Sequence, residues 1–102
     1  MFYDKGGNLK FITREISAGN SRAFDYVFNE FYVSLCRFSF TFIKDQSKAE
    51  GVVQEVFIKL WEKRESLSEI DNLLSYMMSM VRNLSIDHIR KEKAGLKAQQ
   101  KI

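Results

Sequence analysis

The sequence predicts an all-α protein, a compact bundle of about four helices with no sheet. The 102 residues contain no proline, a residue that breaks or kinks helices, so the chain can form long helices. Apolar residues recur at three- and four-residue spacing, which is typical of helices, rather than in the alternation typical of strands. Nine phenylalanines and a hydrophobic content of 45% supply one core, as expected of a single domain of this length.

The first two predicted helices are separated by a glycine. The first covers about residues 9–18, and Gly19 then stands where a left-handed helix end favours glycine. The second covers about residues 22–44, with Asn20 or Ser21 as its N-terminal cap. Its apolar stripe consists of Phe24, Val27, Phe28, Phe31, Leu35, Phe38 and Phe42. Further apolar residues widen this stripe, which predicts contacts with helices on more than one flank.

The third predicted helix, about residues 48–64, has two distinctive faces. Ser47 and Glu50 form a Ser-x-x-Glu pattern, which predicts a capping box at its start. Its core stripe consists of Ala49, Val52, Val53, Val56, Phe57, Leu60 and Trp61. The opposite face contains Gly51, which costs about 1 kcal/mol relative to alanine in a helix, and Ile58, which is apolar. This face is either a solvated face with two tolerated residues or a surface that another protein covers.

A polar connection over residues 65–71 leads to the fourth predicted helix, about residues 72–93, with Asp71 as its predicted cap. The core side of this helix consists of Leu73, Met77, Met80, Val81 and Leu84, with His88 at the core edge. A second face combines cations, an amide and an aromatic ring: Tyr76, Arg82, Asn83, Ile86, Arg90 and Lys93. Such a set can follow a phosphate backbone and stack on an exposed base. The alternative is a solvated face in which Asp87 pairs with Arg90.

Positive charge is concentrated at the C-terminal end of the chain. Residues 82–102 contain six basic and two acidic side chains, a net charge of +4, whereas the whole chain has +3. This asymmetry indicates a polyanionic partner, although basic residues also complement a helix dipole.

Several classes of function lack their usual residues. One cysteine, Cys36, and one histidine, His88, do not make a zinc site, and no glycine-rich phosphate loop occurs. No apolar stretch approaches the roughly 20 residues that span a bilayer, and no signal peptide is recognisable. We therefore expect a reduced, cytoplasmic protein without cofactor, metal or catalytic residues.

The third and fourth helices resemble those of region 2 of extracytoplasmic-function (ECF) sigma factors in the sigma-70 family. Lys48-Ala-Glu-Gly-Val-Val-Gln-Glu-Val-Phe-Ile-Lys-Leu-Trp61 is similar to the family's polymerase-binding helix, Asp-Ala-Glu-Asp-Leu-Val-Gln-Glu-x-Phe-x-x-Leu-Trp. The segment from Leu74 to Arg90 is similar to Trp-Leu-x-x-Ile-Ala-x-Asn-x-x-x-Asp-x-x-Arg, which reads the promoter minus-ten element. Ala23-Phe24, followed by Phe31-Tyr32, resembles the opening of this region. The resemblance covers about residues 8–93.

The resemblance implies a sigma factor domain, residues 8–93, that binds core RNA polymerase and recognises and melts the minus-ten element. The residues it assigns to the coiled coil of the polymerase β′ subunit are Glu50, Gly51, Gln54, Glu55, Ile58 and Glu62. Those it assigns to promoter DNA are Tyr76, Arg82, Asn83, Arg90, Lys91 and Lys93. The loop over residues 65–72 would receive a base flipped from the single-stranded non-template strand. An anti-sigma factor is a further expected partner.

Residues 94–102 would be the flexible start of a linker. We expect these 102 residues not to include the region 4 helix-turn-helix domain that the family usually carries.

The sequence departs from the family pattern at three positions. Lys48 and Gly51 replace acidic residues, which should weaken charge pairing with the polymerase, and Tyr76 replaces tryptophan with a smaller ring. The alternative function is a sigma-like interaction module, an anti-sigma target or a polymerase decoy, without DNA readout. Such a module need not keep Tyr76, Asn83 and Arg90 together. A third possibility, a small helical enzyme, would need a pocket with convergent titratable groups.

Overall fold

A computed structural model describes residues 10–100, with side chains for residues 10–97, and confirms the all-α prediction. Its α-helices are α1 (Lys10–Ser17), α2 (Ser21–Ile43), α3 (Gln46–Glu62) and α4 (Leu73–Gln100), and a 3-10 helix covers Arg64–Glu69. No strand occurs within the described part of the chain. Residues 8 and 9 of the predicted domain, and residues 101 and 102 of the predicted linker, lie outside it.

One core contains residues from every helix. Its fully buried large side chains are Ile12, Ile16, Val27, Leu35, Val53, Val56, Leu60, Leu67, Leu73, Met77 and Val81. Helix α2 packs against both α3 and α4, as the width of its apolar stripe predicts. Between α2 and α4 the core also holds a polar pair, because the buried hydroxyls of Ser39 and Ser85 lie 2.8 Å apart and satisfy each other.

The helix starts differ from the predicted caps at two of three positions. Asn20 caps α2, as predicted, by accepting the amides of Arg22 and Ala23. Helix α3, however, is capped by Asp45, whose Oδ1 accepts the amide of Lys48 at 3.0 Å. The predicted Ser47 capping box is therefore wrong. Asp45 is an equally good cap, and the left-handed backbone of Lys44 (φ 62°) ends α2 immediately before it.

Helix α4 is capped by Asn72 rather than by the predicted Asp71. The Asn72 Oδ1 accepts the amide of Ser75 at 3.0 Å, whereas the Asp71 carboxylate lies 3.6 Å from the Lys10 ammonium of α1. The turn before α2 has the predicted geometry, since Gly19 adopts a φ of 91° that favours glycine. Asp71 therefore links the end of the 65–72 loop to α1 instead of capping α4.

Two segments are more regular than predicted. Helix α4 continues to Gln100, beyond the predicted end near residue 93. Alanine, lysine, leucine and glutamine favour helix there, and the cost of about 1 kcal/mol for Gly95 does not end it. The predicted polar connection contains the 3-10 helix, whose Leu67 is buried in the core.

Candidate protein and nucleic-acid interfaces

The outward side of α3 presents the six residues that the sequence assigns to polymerase binding. This α3 face consists of Glu50, Gly51, Gln54, Glu55, Ile58 and Glu62, of which Glu50 is half-buried and the others are exposed. The Ile58 side chain is 59% exposed, so an apolar group faces water. The Gln54 amide donates to the Tyr32 hydroxyl of α2 at 3.3 Å, which restrains its side chain.

An apolar groove between α2 and α3 adjoins this face. It is lined by Phe24, Phe28, Gln54, Phe57, Ile58, Trp61 and Glu62. The rings pack tightly, with centroid distances of 5.1 Å for Phe24 and Trp61 and 4.9 Å for Phe28 and Phe57. Apolar spacing predicts Phe24 and Phe28 in the core stripe of α2, but both are only half-buried. Sequence reasoning therefore missed that the apolar surface extends from α3 onto α2, although the width of the α2 stripe was a signal of it.

The space next to Gly51 on the α3 face is unoccupied by the described residues. A Cβ atom added there would meet no atom within 4 Å, and the backbone is ordinary helix. No neighbour within the described chain therefore requires glycine at this position. Either the glycine is tolerated, or its flat surface admits a partner.

On α4, three residues of the DNA-binding prediction form a line. Tyr76, Asn83 and Arg90 recur every seven residues in one continuous helix, so they lie on the same side at intervals of about 10 Å. Asn83 and Arg90 are exposed and Tyr76 is half-buried. The Arg82 guanidinium lies 3.5 Å from the Asn83 Oδ1. Together with the exposed Lys91 and Lys93, these residues are called the α4 face below.

The alternative in which Asp87 neutralises Arg90 does not describe this helix. The Asp87 carboxylate lies 3.1 Å from the Lys91 ammonium, one turn further along α4. Among the described residues Arg90 forms no ion pair, so its charge is available to a partner. Lys91 is the cation of this face that is partly neutralised.

The 65–72 loop presents oxygen atoms to the solvent. Glu65, Ser66, Ser68, Glu69, Asp71 and Asn72 are exposed, whereas Leu67 points into the core. The hydroxyls of Ser66 and Ser68 donate to the carbonyls of Lys63 and Glu65, at 2.8 and 3.4 Å. Their lone pairs remain able to accept a hydrogen bond. On the α3 side of the loop, the Arg64 guanidinium lies 4.4 Å from the centre of the Trp61 ring and donates to the Trp61 carbonyl.

The helices that carry both faces match a known family. The model of the Sigma-70 region 2 family matches residues 27–95, from α2 into the last third of α4. This chain belongs to the sigma-70 region 2 family. It is 25% identical over 69 residues to the ECF RNA polymerase sigma factor SigX of Bacillus subtilis (strain 168). That match covers 68% of this chain and 36% of SigX, so the chain spans about a third of this relative. No solved structure matches the chain significantly.

In this sigma region 2 domain, Lys48 has an intramolecular partner. Its ammonium group binds the Glu92 carboxylate of α4, which also lies 3.2 Å from the His88 Nε2. The hydrogen bond and charge of Glu92 raise the pKa of Lys48, and the hydrogen bond from Lys48 lowers the pKa of Glu92. Lys48, which replaces an acidic residue of the family pattern, therefore joins α3 to α4 through its ion pair with Glu92. No local pattern predicts a pair separated by 44 positions.

The remaining candidate chemistries find no site among the described residues. No group of three or more His, Cys, Asp or Glu side chains is arranged to hold a metal ion there. Burial raises the pKa of the half-buried Cys36 thiol, which makes it a poor nucleophile. Within residues 10–100, no helix combines the length and the hydropathy needed to cross a membrane.

Proposed function

We propose that this sigma factor domain binds core RNA polymerase through the α3 face and recognises and melts the promoter minus-ten element through the α4 face and the 65–72 loop. The observation that carries the proposal is the presence of two exposed surfaces of different chemistry on one bundle. The α3 face is apolar and acidic. The α4 face carries an aromatic ring, an amide and a cation in a line. One protein domain and one nucleic-acid strand are their natural partners.

The α3 face has the composition of a protein-binding surface. The exposed Ile58 and the aromatic groove supply apolar area, and Gln54 is held by Tyr32 in a position to hydrogen-bond. Glu55 and Glu62 flank them with negative charge. A helical partner with apolar and basic side chains, such as the β′ coiled coil of the polymerase, fits this pattern.

Co-elution with bacterial core RNA polymerase tests this half of the proposal. Gln54→Ala combined with Ile58→Asp should abolish co-elution, because it removes a hydrogen-bonding group and places a charge in an apolar contact. Leu96→Asp is the matched control, since Leu96 is 58% exposed but lies near the end of α4. Circular dichroism should show unchanged helicity in both variants. Full binding by the α3 variant would refute the assignment of this face.

The α4 face has the composition of a single-strand binding surface. Tyr76 offers a ring on which a base can stack, Asn83 an amide that can hydrogen-bond to a base edge, and Arg90 a free charge for a phosphate. The 65–72 loop adds acceptors for the edge of a flipped base. Because few cations are available, binding by the isolated domain should be micromolar or weaker.

Fluorescence titration with a non-template minus-ten oligonucleotide tests the second half. Binding should weaken with salt, with a log–log slope of roughly −2 to −3, since each phosphate contact on a single strand contributes about −0.7. Arg90→Ala should lower affinity for every sequence and flatten the slope by somewhat less than one unit. A change of base preference with an unchanged slope would show that Arg90 reads bases instead.

The second candidate function is a sigma-like interaction module, an anti-sigma target or a polymerase decoy without DNA readout. Two departures of α3 from the family pattern motivate it, since both should weaken pairing with core polymerase: Gly51 carries no acidic group, and Lys48 pairs with Glu92 of α4. The same titration separates the two functions. Oligonucleotide binding without any sequence preference at low salt would support the module and contradict the promoter-recognition proposal.

A further inference from the structure

Helix α1 lies against the 65–72 loop. It contacts the 3-10 helix of this loop more extensively than it contacts α2, the next helix along the chain. The buried Ile12 and Ile16 of α1 belong to the same core cluster as Leu67, the inward residue of the loop. The match to the family model begins only at residue 27, so α1 lies outside the matched segment.

Polar contacts join α1 to both ends of the loop. At its start, the Ser17 hydroxyl donates to the Glu65 carbonyl at 3.0 Å, across 48 positions of sequence. At its other end, the Lys10 ammonium lies 3.6 Å from the Asp71 carboxylate. The loop is therefore attached to α1 at Glu65, at Leu67 and at Asp71. Between these points Ser66, Ser68 and Glu69 face the solvent, whereas Ile70 is half-buried against the core.

We infer that α1 is the element that positions the 65–72 loop for reading a base, with Ser17 as its principal positioning residue. The inference rests on the proposed function, in which this loop accepts the base. A hydrogen bond to the Glu65 carbonyl fixes the backbone where the 3-10 helix begins, and so sets the direction of the exposed oxygens of Ser66, Ser68 and Glu69. The Lys10–Asp71 pair contributes less, because its carboxylate is 93% exposed.

Two variants of the full chain separate positioning from general stability. Ser17→Ala removes the hydrogen bond to the loop, and the alanine that it introduces favours helix. Ser34→Ala is the control, since it removes an exposed serine hydroxyl from α2. Amide hydrogen exchange is measured at Ser66 and Ile70, whose amides donate to the Lys63 and Leu67 carbonyls, and at amides in the middle of α3. Oligonucleotide titrations with each base at the flipped position give the base preference and the salt slope.

We expect Ser17→Ala to accelerate exchange at Ser66 and Ile70 about three- to fivefold, as for the loss of one exposed hydrogen bond. Exchange in α3 should stay at the wild-type rate, and Ser34→Ala should change exchange at neither place. Base preference should fall about threefold or more at an unchanged salt slope. Unchanged exchange in the loop would overturn the anchoring, and faster exchange with full preference would overturn the positioning role. If the wild-type domain showed no base preference, the proposed function would be wrong, and the role of Ser17 in positioning the loop would fall with it. Faster loop exchange in Ser17→Ala would still show that α1 anchors the loop.

Discussion

The α3 face and the 65–72 loop both point outwards, but they are held in place by different forces. Beneath the α3 face, the Phe57 ring contacts those of Phe24 and Phe28, with centroid distances of 5.9 and 4.9 Å. The loop has one buried residue, Leu67, and polar contacts at Glu65 and Asp71 that are exposed to water. The α3 face rests on a cluster of packed rings, whereas the loop is held by one buried leucine, a half-buried isoleucine and polar bonds near the surface.

The difference matters because the two kinds of contact differ in strength. A buried aromatic ring contributes several kcal/mol, whereas an exposed ion pair or hydrogen bond contributes about 0–1 kcal/mol. The loop should therefore open locally at a lower free energy than α3. A fixed face suits docking on another folded protein, and an adjustable loop suits the entry of a base from a strand that must first be melted.

Phe57→Ala should have the largest effect on this difference. Phe57 is 3% exposed, and its loss should lower the free energy of unfolding by about 3–5 kcal/mol. Urea unfolding followed by circular dichroism measures the change. Because the same ring lines the groove, co-elution with core polymerase should also fail at temperatures where the variant is folded.

Leu67→Ala is the comparison for this variant, since it removes the buried residue of the loop instead. It should lower the free energy of unfolding by about 2–5 kcal/mol, leave polymerase binding intact where the variant is folded, and reduce base preference. If Phe57→Ala instead spared polymerase binding, the aromatic groove would not belong to the docking surface, and the contrast between the two regions would lose its functional meaning.

The sequence predicts the fold well and the surfaces only in part. Apolar spacing places the helices because every turn of an amphipathic helix repeats the same signal, as at Val53, Val56 and Leu60. The N-terminal cap of α3 is harder to predict from sequence, because Asp45 and Ser47 are both good capping residues. The left-handed backbone of Lys44 decides which of them caps the helix. The contacts of Lys48 with Glu92 and of Ser17 with Glu65 join distant positions, so no local pattern contains them.

The exposed glycine of the α3 face gives a smaller effect. Gly51→Ala should raise the free energy of unfolding by about 1 kcal/mol, because alanine favours helix and the added Cβ meets open space. For a domain of this size, this corresponds to a rise in Tm of about 4–8 °C, which differential scanning calorimetry can measure. An unchanged or lower Tm would mean that the open space is not available to a methyl group.

The same variant decides between the two interpretations of Gly51. If the glycine is only tolerated, polymerase binding should be unchanged in the more stable protein. If the partner approaches the α3 backbone closely, binding should weaken while stability rises. A loss of binding in a stabilised variant cannot be attributed to unfolding.

The smallest effect concerns the pair that joins the two functional helices. Since Lys48 lowers the pKa of Glu92 below its ordinary value of 4.5, the folded state gains stability from this carboxylate above that pH. The gain should disappear as the pH falls through the lowered pKa of Glu92 and the carboxylate becomes protonated. At high pH the stabilisation is lost again. The raised pKa of Lys48 means that its contribution is complete below the ordinary value of 10.5 and disappears as the pH rises through the raised pKa.

Glu92→Gln should therefore be slightly less stable than the wild type at neutral pH and equal to it in strong acid. Glu69→Gln provides the control, because Glu69 is an exposed carboxylate without an ion pair among the described residues. Urea unfolding at a series of pH values measures both differences, and salt should reduce that of Glu92 because the pair is exposed. A difference for Glu92→Gln that persisted unchanged into strong acid would show that the charge of Glu92 is not what stabilises the contact between α3 and α4.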